Sequence, residues 1–154
     1  IALLPNLRRF AISLCRSPTT ADDLVQSACE KAFANNSQFM PGTRLDAWLF
    51  RILRNCWIDQ IRRQGVRGTE LELDEHTSQL SVDGVAVAED RLTLQEVSKA
   101  VQDLPDQQRE VVMLVCIEGF SYKETSELLD VPIGTVMSRL ARARIEIARK
   151  VGIN

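Results

Sequence analysis

The C-terminal part of the chain, from Ser121 onward, constrains the fold most strongly because it predicts two helices joined by a tight turn. Ser121 and Glu124 fit the S/T-x-x-E capping box, in which each side chain bonds a backbone N–H at the helix start. Pro132 lacks a backbone donor but suits a first helical turn. A second helix is therefore predicted to begin within residues 130–133 and to run towards Val151, which gives a helix-turn-helix pattern.

The second of these helices has two different faces. At about 100° per residue, one stripe is apolar and comprises Ile133, Val136, Leu140, Ala143 and Ile147. The other stripe comprises Thr135, Ser138, Arg139, Arg142 and Arg149. Small hydroxyl residues and forked guanidinium groups suit a helix that enters a DNA major groove. On spacing alone, a solvated polar face explains the pattern equally well.

Composition indicates an all-α protein. Only 5% of the 154 residues are aromatic, and no alternating apolar run predicts a sheet. No apolar span is long enough to cross a membrane, and the N-terminus lacks a signal-peptide pattern, so we expect a cytoplasmic protein without membrane insertion. At this length, one domain or two small ones are possible.

Residues suited to catalysis or metal binding are sparse. Cys15, Cys29, Cys56 and Cys116 lie far apart among apolar residues, which favours reduced thiols packed as small core side chains. His76, the only histidine, has no serine or carboxylate partner at motif spacing, and no phosphate-binding glycine motif occurs. We therefore expect neither an enzyme nor a bound metal, cofactor or small-molecule substrate.

Charge is distributed unevenly along the chain. Residues 69–110 hold three Lys and Arg against eleven Asp and Glu, whereas residues 1–68 hold ten against five. Within the acidic part, residues 65–90 contain three glycines and little helical periodicity, which predicts a linker between two helical blocks. A solvating tether is favoured on sequence alone, and an acidic strand lying in a nucleic-acid channel is the alternative.

The N-terminal block predicts three helices, at residues 5–16, 20–35 and 45–64. Thr20 and Thr43 each precede a carboxylate by three residues, as at helix starts. In the second helix, the predicted buried stripe is Leu24, Val25, Ala28, Ala32 and Phe33. Its outward residues are Asp22, Asp23, Gln26, Ser27 and Glu30. Acidic residues in a first turn also stabilise the helix dipole, so this face alone does not identify a partner.

The third helix is apolar on two sides. Its predicted core stripe is Leu45, Trp48, Leu49, Ile52 and Cys56. The opposite side carries Phe50, Trp57, Ile58 and Ile61, interleaved with Arg51, Arg54 and Arg62. Either neighbouring helices cover both sides, or aromatic rings and guanidinium groups form a platform on which unpaired bases stack.

Three segments, in this order, resemble the extracytoplasmic-function (ECF) group of bacterial sigma factors. DDLVQSACEKAF at residues 22–33 is similar to the helix that binds core RNA polymerase, and AWLFRILRNCWIDQIRR at 47–63 to the promoter-melting helix. LPDQQREVVMLVCIEGFSYKETSELLDVPIGTVMSRLARAR at 104–144 resembles the C-terminal promoter-reading domain. The resemblance implies two small helical domains, sigma region 2 at residues 1–65 and sigma region 4 at 91–154, joined by an acidic linker at 66–90.

The resemblance also implies roles for individual residues. Those expected to bind core polymerase are Asp23, Gln26 and Ser27. Those expected at the minus-ten DNA are Trp48, Arg51, Arg54 and Asn55, and those at the minus-thirty-five DNA are Thr135, Met137, Ser138, Arg139 and Arg142. Met137 stands where many members carry Lys or Arg, so the upstream preference of this chain is expected to differ.

The implied function is that of a sigma factor for promoter-specific transcription initiation, with core RNA polymerase, promoter DNA and an anti-sigma factor as partners. The acidic linker would then enter the active-site cleft and RNA exit path of the polymerase. The segments LRRF and FMPGTRLDAWLF further resemble the general-stress branch of the family. Two alternatives stay open: a sigma-like decoy that sequesters an anti-sigma factor, and a stand-alone helix-turn-helix regulator.

Overall fold

The computed structural model describes residues 3–39, 42, 44–66 and 88–152, and every regular element within them is helical. The chain divides into two compact units, Ile1–Ser78 and Gln79–Asn154. The first unit contains α1 (Leu4–Cys15), α2 (Pro18–Ala34) and α3 (Leu45–Val66). The second contains α4 (Ala88–Gln102), α5 (Asp106–Val112), α6 (Tyr122–Leu129) and α7 (Ile133–Val151). The all-α prediction is confirmed.

The turn between α1 and α2 is set by local signals. Arg16 ends α1 in the left-handed conformation, at a φ of 60°. The Ser17 hydroxyl then accepts a hydrogen bond from the Thr20 backbone N–H at 3.3 Å, and Pro18 occupies the first turn of α2. The predicted start at Thr20 was therefore wrong, because the capping hydroxyl belongs to Ser17. The other predicted capping residue, Thr43, lies outside the described residues.

In the first unit, each of the three helices packs against the other two. The buried apolar side chains are Leu7, Phe10, Ala11 and Leu14 from α1, Ala21, Leu24 and Ala28 from α2, and Phe50, Leu53 and Cys56 from α3. The rings of Phe10 and Phe50 lie 5.1 Å apart in a tilted arrangement, which contributes about 0.5–1.5 kcal/mol beyond the burial of their area. Two of the three core residues that α2 contributes are alanines, and the largest fully buried side chains come from α1 and α3.

The structure corrects two predicted stripes in this unit. Phe50 is 1% exposed and faces the core, whereas Leu45, which was expected there, is 47% exposed. Trp48, Leu49 and Ile52, the other non-cysteine members of the predicted stripe, are only half-buried. In α2, Phe33 is 81% exposed although it was expected to be buried. A helix with apolar residues on several sides does not reveal by periodicity which side its neighbours cover.

In the second unit, α7 packs against α4, α5 and α6. Its buried residues are Val136, Leu140 and Ala143, as predicted, but Ile133 at the first position is exposed. The capping box that begins α6 is confirmed: the Ser121 hydroxyl accepts from the Glu124 N–H at 3.0 Å, and the Ser121 N–H donates to Glu124 Oε1 at 2.9 Å. The predicted helix-turn-helix is therefore present.

Helix α5 continues into a π-helical segment, Met113–Ile117. The Glu118 N–H donates to the Met113 carbonyl at 2.9 Å, and Gly119, at a φ of 77°, turns the chain towards α6. A π turn adds a residue relative to an α turn, which displaces side chains from the α-helical periodicity. Cys116 within this segment is exposed, so its predicted core position was wrong, whereas Cys56 in the first unit is buried.

Candidate nucleic-acid and partner interfaces

The α7 surface comprises the five residues Thr135, Met137, Ser138, Arg139 and Arg142. A three-residue turn precedes it: Asp130 adopts the left-handed conformation at a φ of 57°, and Pro132 caps α7 with extended backbone. Ser138 and Arg142 are exposed and lie one helical turn apart. Met137 is also exposed, whereas Thr135 and Arg139 are half-buried. The outward face predicted for α7 is thus open to solvent at its centre.

Two arginines on the outward face of α7, Arg142 and Arg149, differ in the contacts that their side chains make. Within the described part of the chain, Arg142 forms no ion pair or side-chain hydrogen bond. Arg149, two turns further along, donates through Nε to Glu146 Oε2 at 3.3 Å, and this contact holds the pKa of the Glu146 carboxyl below its ordinary value. The guanidinium of Arg142 is therefore available to a phosphate or a base edge, whereas that of Arg149 is already engaged.

The α3 surface comprises Trp48, Arg51 and Asn55, which share one helical face because they are three and four residues apart. Arg51 and Asn55 are exposed. Trp48 is half-buried against the ring of Phe39, with 5.2 Å between the ring centroids and 47° between the planes. Arg54 is half-buried and lies to the side of this face. The arrangement offers a supported aromatic ring beside an exposed guanidinium and an exposed amide.

The α2 surface comprises Asp23, Gln26 and Ser27, all of which are exposed. Asp22, the residue before it, accepts a hydrogen bond from Arg8 Nε at 2.9 Å in an ion pair with α1. Asp23 forms no such pair within the described residues. Of two neighbouring carboxylates, one is therefore used within the unit and the other is free for a partner.

Two cysteine thiols of the first unit, the buried Cys56 and the half-buried Cys15, stay protonated at neutral pH. Burial raises the pKa of the Cys56 thiol, an effect that Lys31 partly offsets. Burial likewise raises the pKa of the Cys15 thiol, whose Sγ donates to the Ser17 carbonyl at 3.2 Å. A protonated thiol is a weaker nucleophile than a thiolate, so burial lowers the reactivity of both groups.

Sequence reasoning missed two residues that hold local structure in the two units. Phe39 supports Trp48, and no periodic signal predicts it because it follows a 3-10 turn outside any α-helix. Arg109 is only 3% exposed and donates to the Leu104 carbonyl at 2.9 Å and to Asp106 Oδ1 at 2.5 Å, which fixes the turn between α4 and α5. A buried arginine has no distinct sequence signature, and only its spacing of three residues from Asp106 hints at the pair.

The residues that the structure describes contain neither a metal-binding cluster nor a membrane-spanning helix. No group of three or more His, Cys, Asp and Glu residues there is arranged to hold a metal ion. None of the helices in those ranges combines the length and the apolar character needed to cross a membrane.

Comparison with known families and proteins gives a consistent result. The family model "Sigma-70 region 2" matches residues 2–67, and "Sigma-70, region 4" matches residues 94–147. The ECF RNA polymerase sigma factor EcfG of Rhodopseudomonas palustris is 37% identical over 96% of this chain and 80% of its own length. SigW of Bacillus subtilis, another ECF sigma factor, is 37% identical over 84% of this chain and 74% of its own length.

A solved structure extends the likeness to the fold. The sigma factor RpoE from Bartonella quintana, in complex with the anti-sigma factor NepR, matches with a TM-score of 0.78 and 35% identity, over 99% of this chain and 94% of its own. Both sigma regions occur in the order that the sequence segments implied. Together with relatives above 30% identity along nearly the whole chain, they show that this protein belongs to the ECF family of RNA polymerase sigma factors.

Proposed function

We propose that this chain is a dissociable initiation subunit that binds core RNA polymerase through the α2 surface, captures the minus-ten DNA on the α3 surface and reads the minus-thirty-five DNA with the α7 surface. The observation that carries the proposal is the likeness to EcfG, which runs over 96% of the chain and so includes all three surfaces. A stand-alone regulator would need only the helix-turn-helix unit. The exposed Arg51 and Asn55 of the other unit favour the sigma factor.

The two DNA surfaces would act on different forms of the promoter. Arg142 and Ser138 on α7 suit duplex DNA, because a guanidinium and a hydroxyl can contact phosphates and base edges in the major groove. Trp48, Arg51 and Asn55 suit separated strands, because an aromatic ring stacks on unpaired bases and the amide bonds a base edge. A surface that binds only the open strand shifts the closed-to-open equilibrium towards opening. The chain needs no catalytic group for this function.

The two units would gain affinity from being held together on the polymerase. Each surface alone is small, and a second contact made through a shared scaffold benefits from a high effective concentration. We therefore expect the free protein to bind promoter DNA weakly. The acidic linker at residues 66–90, most of which lies outside the described residues, would follow the basic path of the polymerase towards its active-site cleft.

Control by an anti-sigma factor completes the proposal. RpoE of Bartonella quintana, 35% identical to this chain, has been solved with the anti-sigma factor NepR. An inhibitor that covers the α2 surface would contact only residues that are already required for binding polymerase, including the free carboxylate of Asp23. The protein would then act in the bacterial cytoplasm, where polymerase and promoters are found. It would belong to the general-stress branch of the family, which its N-terminal segments resemble.

The test is run-off transcription with purified bacterial core RNA polymerase on a library of candidate promoters, with and without the full chain. Promoter-specific transcripts that depend on the chain are expected. Binding to an anti-sigma factor without any binding to core polymerase would instead identify a decoy. Tight, sequence-specific binding of the isolated chain to a promoter at physiological salt would favour a stand-alone regulator.

A variant pair then tests the α3 surface. Asn55→Ala should leave polymerase affinity unchanged and destabilise the open complex by about 1–3 kcal/mol, the size of a lost hydrogen-bonded contact to a base edge. Asn36→Ala, which removes an exposed amide from the turn after α2, should behave like the wild type. Permanganate reactivity of unpaired thymines measures the opening. Loss of polymerase binding in Asn55→Ala would mean that this face of α3 contacts the enzyme.

A further inference from the structure

Met137 is an exposed apolar residue in the part of α7 that a helix-turn-helix presents to DNA. Its side chain is 52% exposed and lies in the second turn of the helix, which begins at Ile133. Recognition helices contact base edges with residues near their N-terminus. A thioether carries no charge and accepts hydrogen bonds only weakly, so it cannot replace the ionic or hydrogen-bonded contacts of the polar residues around it. Any contribution of Met137 to recognition is therefore apolar.

Met137 is the middle residue of an apolar strip on α7. Ile133 precedes it by four residues and Ala141 follows it by four, and all three are exposed. Residues four apart are neighbours on a helix surface, so the strip runs along one flank of the helix. Ser138 and Arg142 each follow a member of the strip by one residue, about 100° around the helix axis. An apolar strip and a polar strip thus lie side by side on the exposed surface of α7.

The packing of the second unit does not require a large apolar residue at position 137. The core positions of α7 are Val136, Leu140 and Ala143, and none of them is more than 1% exposed. Met137 lies about 100° around the helix from Val136 and outside this buried stripe. Its side chain can therefore move among rotamers and adapt to a surface that is brought against it.

The major groove of DNA contains one apolar group that such a side chain can recognise. Thymine presents its C5-methyl group there, whereas the other three bases present only hydrogen-bond donors and acceptors. Packing a thioether against one of those polar edges removes water from it without supplying a hydrogen bond, which is unfavourable. Packing it against the thymine methyl buries apolar surface on both sides.

We propose that Met137 selects a thymine in the minus-thirty-five DNA by packing its side chain against the C5-methyl group of that base. The inference rests on the proposed function, in which the α7 surface lies in the major groove of the upstream element. It adds the identity of one base and the chemical group that is recognised. The contact differs in kind from that of a Lys or Arg at this position, which would favour guanine or a phosphate.

Replacement of thymine by deoxyuridine tests the inference, because the two bases differ only in the C5-methyl group. Each thymine of the upstream element, on either strand, is replaced singly in a promoter that the full chain activates, and run-off transcription is measured at limiting polymerase. With the wild-type chain, one replacement should lower transcription by about 4-fold, the effect of exposing one buried methyl group. With Met137→Ala, thymine and deoxyuridine at that position should give equal transcription.

Two further variants control for indirect effects of the base on DNA shape. Met137→Leu keeps an apolar side chain and should retain part of the preference for thymine. Ile145→Ala removes an exposed apolar side chain two turns further along α7 and should retain all of it. The melting temperature of Met137→Ala should match that of the wild type, because the side chain lies outside the core.

The outcomes separate the inference from the proposed function. The inference is overturned if no single deoxyuridine lowers transcription by the wild-type chain, or if Met137→Ala keeps the preference for thymine. In either case, chain-dependent transcription that is weakened by Arg142→Ala would leave the proposed function intact. Absence of any promoter-specific transcription with the wild-type chain would overturn both.

Discussion

Helices α3 and α7 both carry a candidate DNA surface, but they differ in how far their sequence determines their orientation. In α7 the apolar residues form one stripe, and Val136, Leu140 and Ala143 are buried as that stripe predicts. In α3 apolar residues occur on several sides, and Phe50, outside the predicted stripe, faces the core. Periodicity therefore fixes the orientation of a helix only where one face is polar.

The largest expected effect tests the corrected core of α3. Phe50→Ala should lower the free energy of unfolding of the first unit by about 3–5 kcal/mol, because it leaves a cavity opposite Phe10. Leu45→Ala should change it by less than about 0.5 kcal/mol, as for exposed positions. Urea denaturation of the full chain measures both. A larger cost for Leu45→Ala than for Phe50→Ala would restore the stripe predicted from the sequence.

The second prediction concerns the outward face of α7. Arg142→Ala should weaken recognition of the minus-thirty-five DNA by about 1–3 kcal/mol, because its guanidinium is free to contact a base or phosphate. Arg149→Ala should have a smaller effect, since Glu146 already engages that side chain and recognition helices contact bases near their N-terminus. Transcription from promoters with intact and scrambled upstream elements measures the difference. Equal losses would show that the contact extends along the whole helix.

The third prediction tests the capping box at the start of α6, from which the first helix of the helix-turn-helix was predicted. Ser121→Ala removes the hydroxyl that accepts from the Glu124 N–H, and should destabilise the second unit by about 1 kcal/mol. Ser37→Ala, in the 3-10 turn of the first unit, serves as a control because Ser37 is exposed there. Thermal unfolding followed by circular dichroism compares the two variants. An unchanged melting temperature for Ser121→Ala would mean that packing against α7 alone holds α6 in place.

The smallest expected effect is a loss of stability at alkaline pH that arises in the first unit. Burial raises the pKa of the Cys15 and Cys56 thiols in the folded first unit, so the unfolded chain loses these protons first, near a pH of about 8.5. Their stabilising contribution is complete below that pH and is lost as the pH rises through the folded pKa values.

The measurement is the free energy of unfolding in urea between neutral and alkaline pH. The wild-type chain should lose more stability with rising pH than a variant carrying Cys15→Ala and Cys56→Ala. An equal loss of stability in the wild type and in this variant would contradict the assignment to Cys15 and Cys56.

The candidate site could be predicted where it depends on spacing along one helix. Ser138 and Arg142 follow from the register of α7, and the exposure of Asp23 and Gln26 follows from the polar side of α2. Phe39 could not be predicted as the support of Trp48, because the two residues meet only after the chain turns between α2 and α3. Phe33 could not be assigned to the outside by hydrophobicity, since the same property favours burial.

The sequence by itself determined the helix-turn-helix, the all-α class and the likeness to ECF sigma factors, because capping boxes, prolines and amphipathic stripes act within a few residues of each other. The tertiary structure decided which side of α3 is buried, that Arg109 lies inside the second unit and that Phe33 lies outside the first. These outcomes depend on which surfaces neighbouring helices cover, a property of side-chain size and contact between distant segments that no local pattern contains.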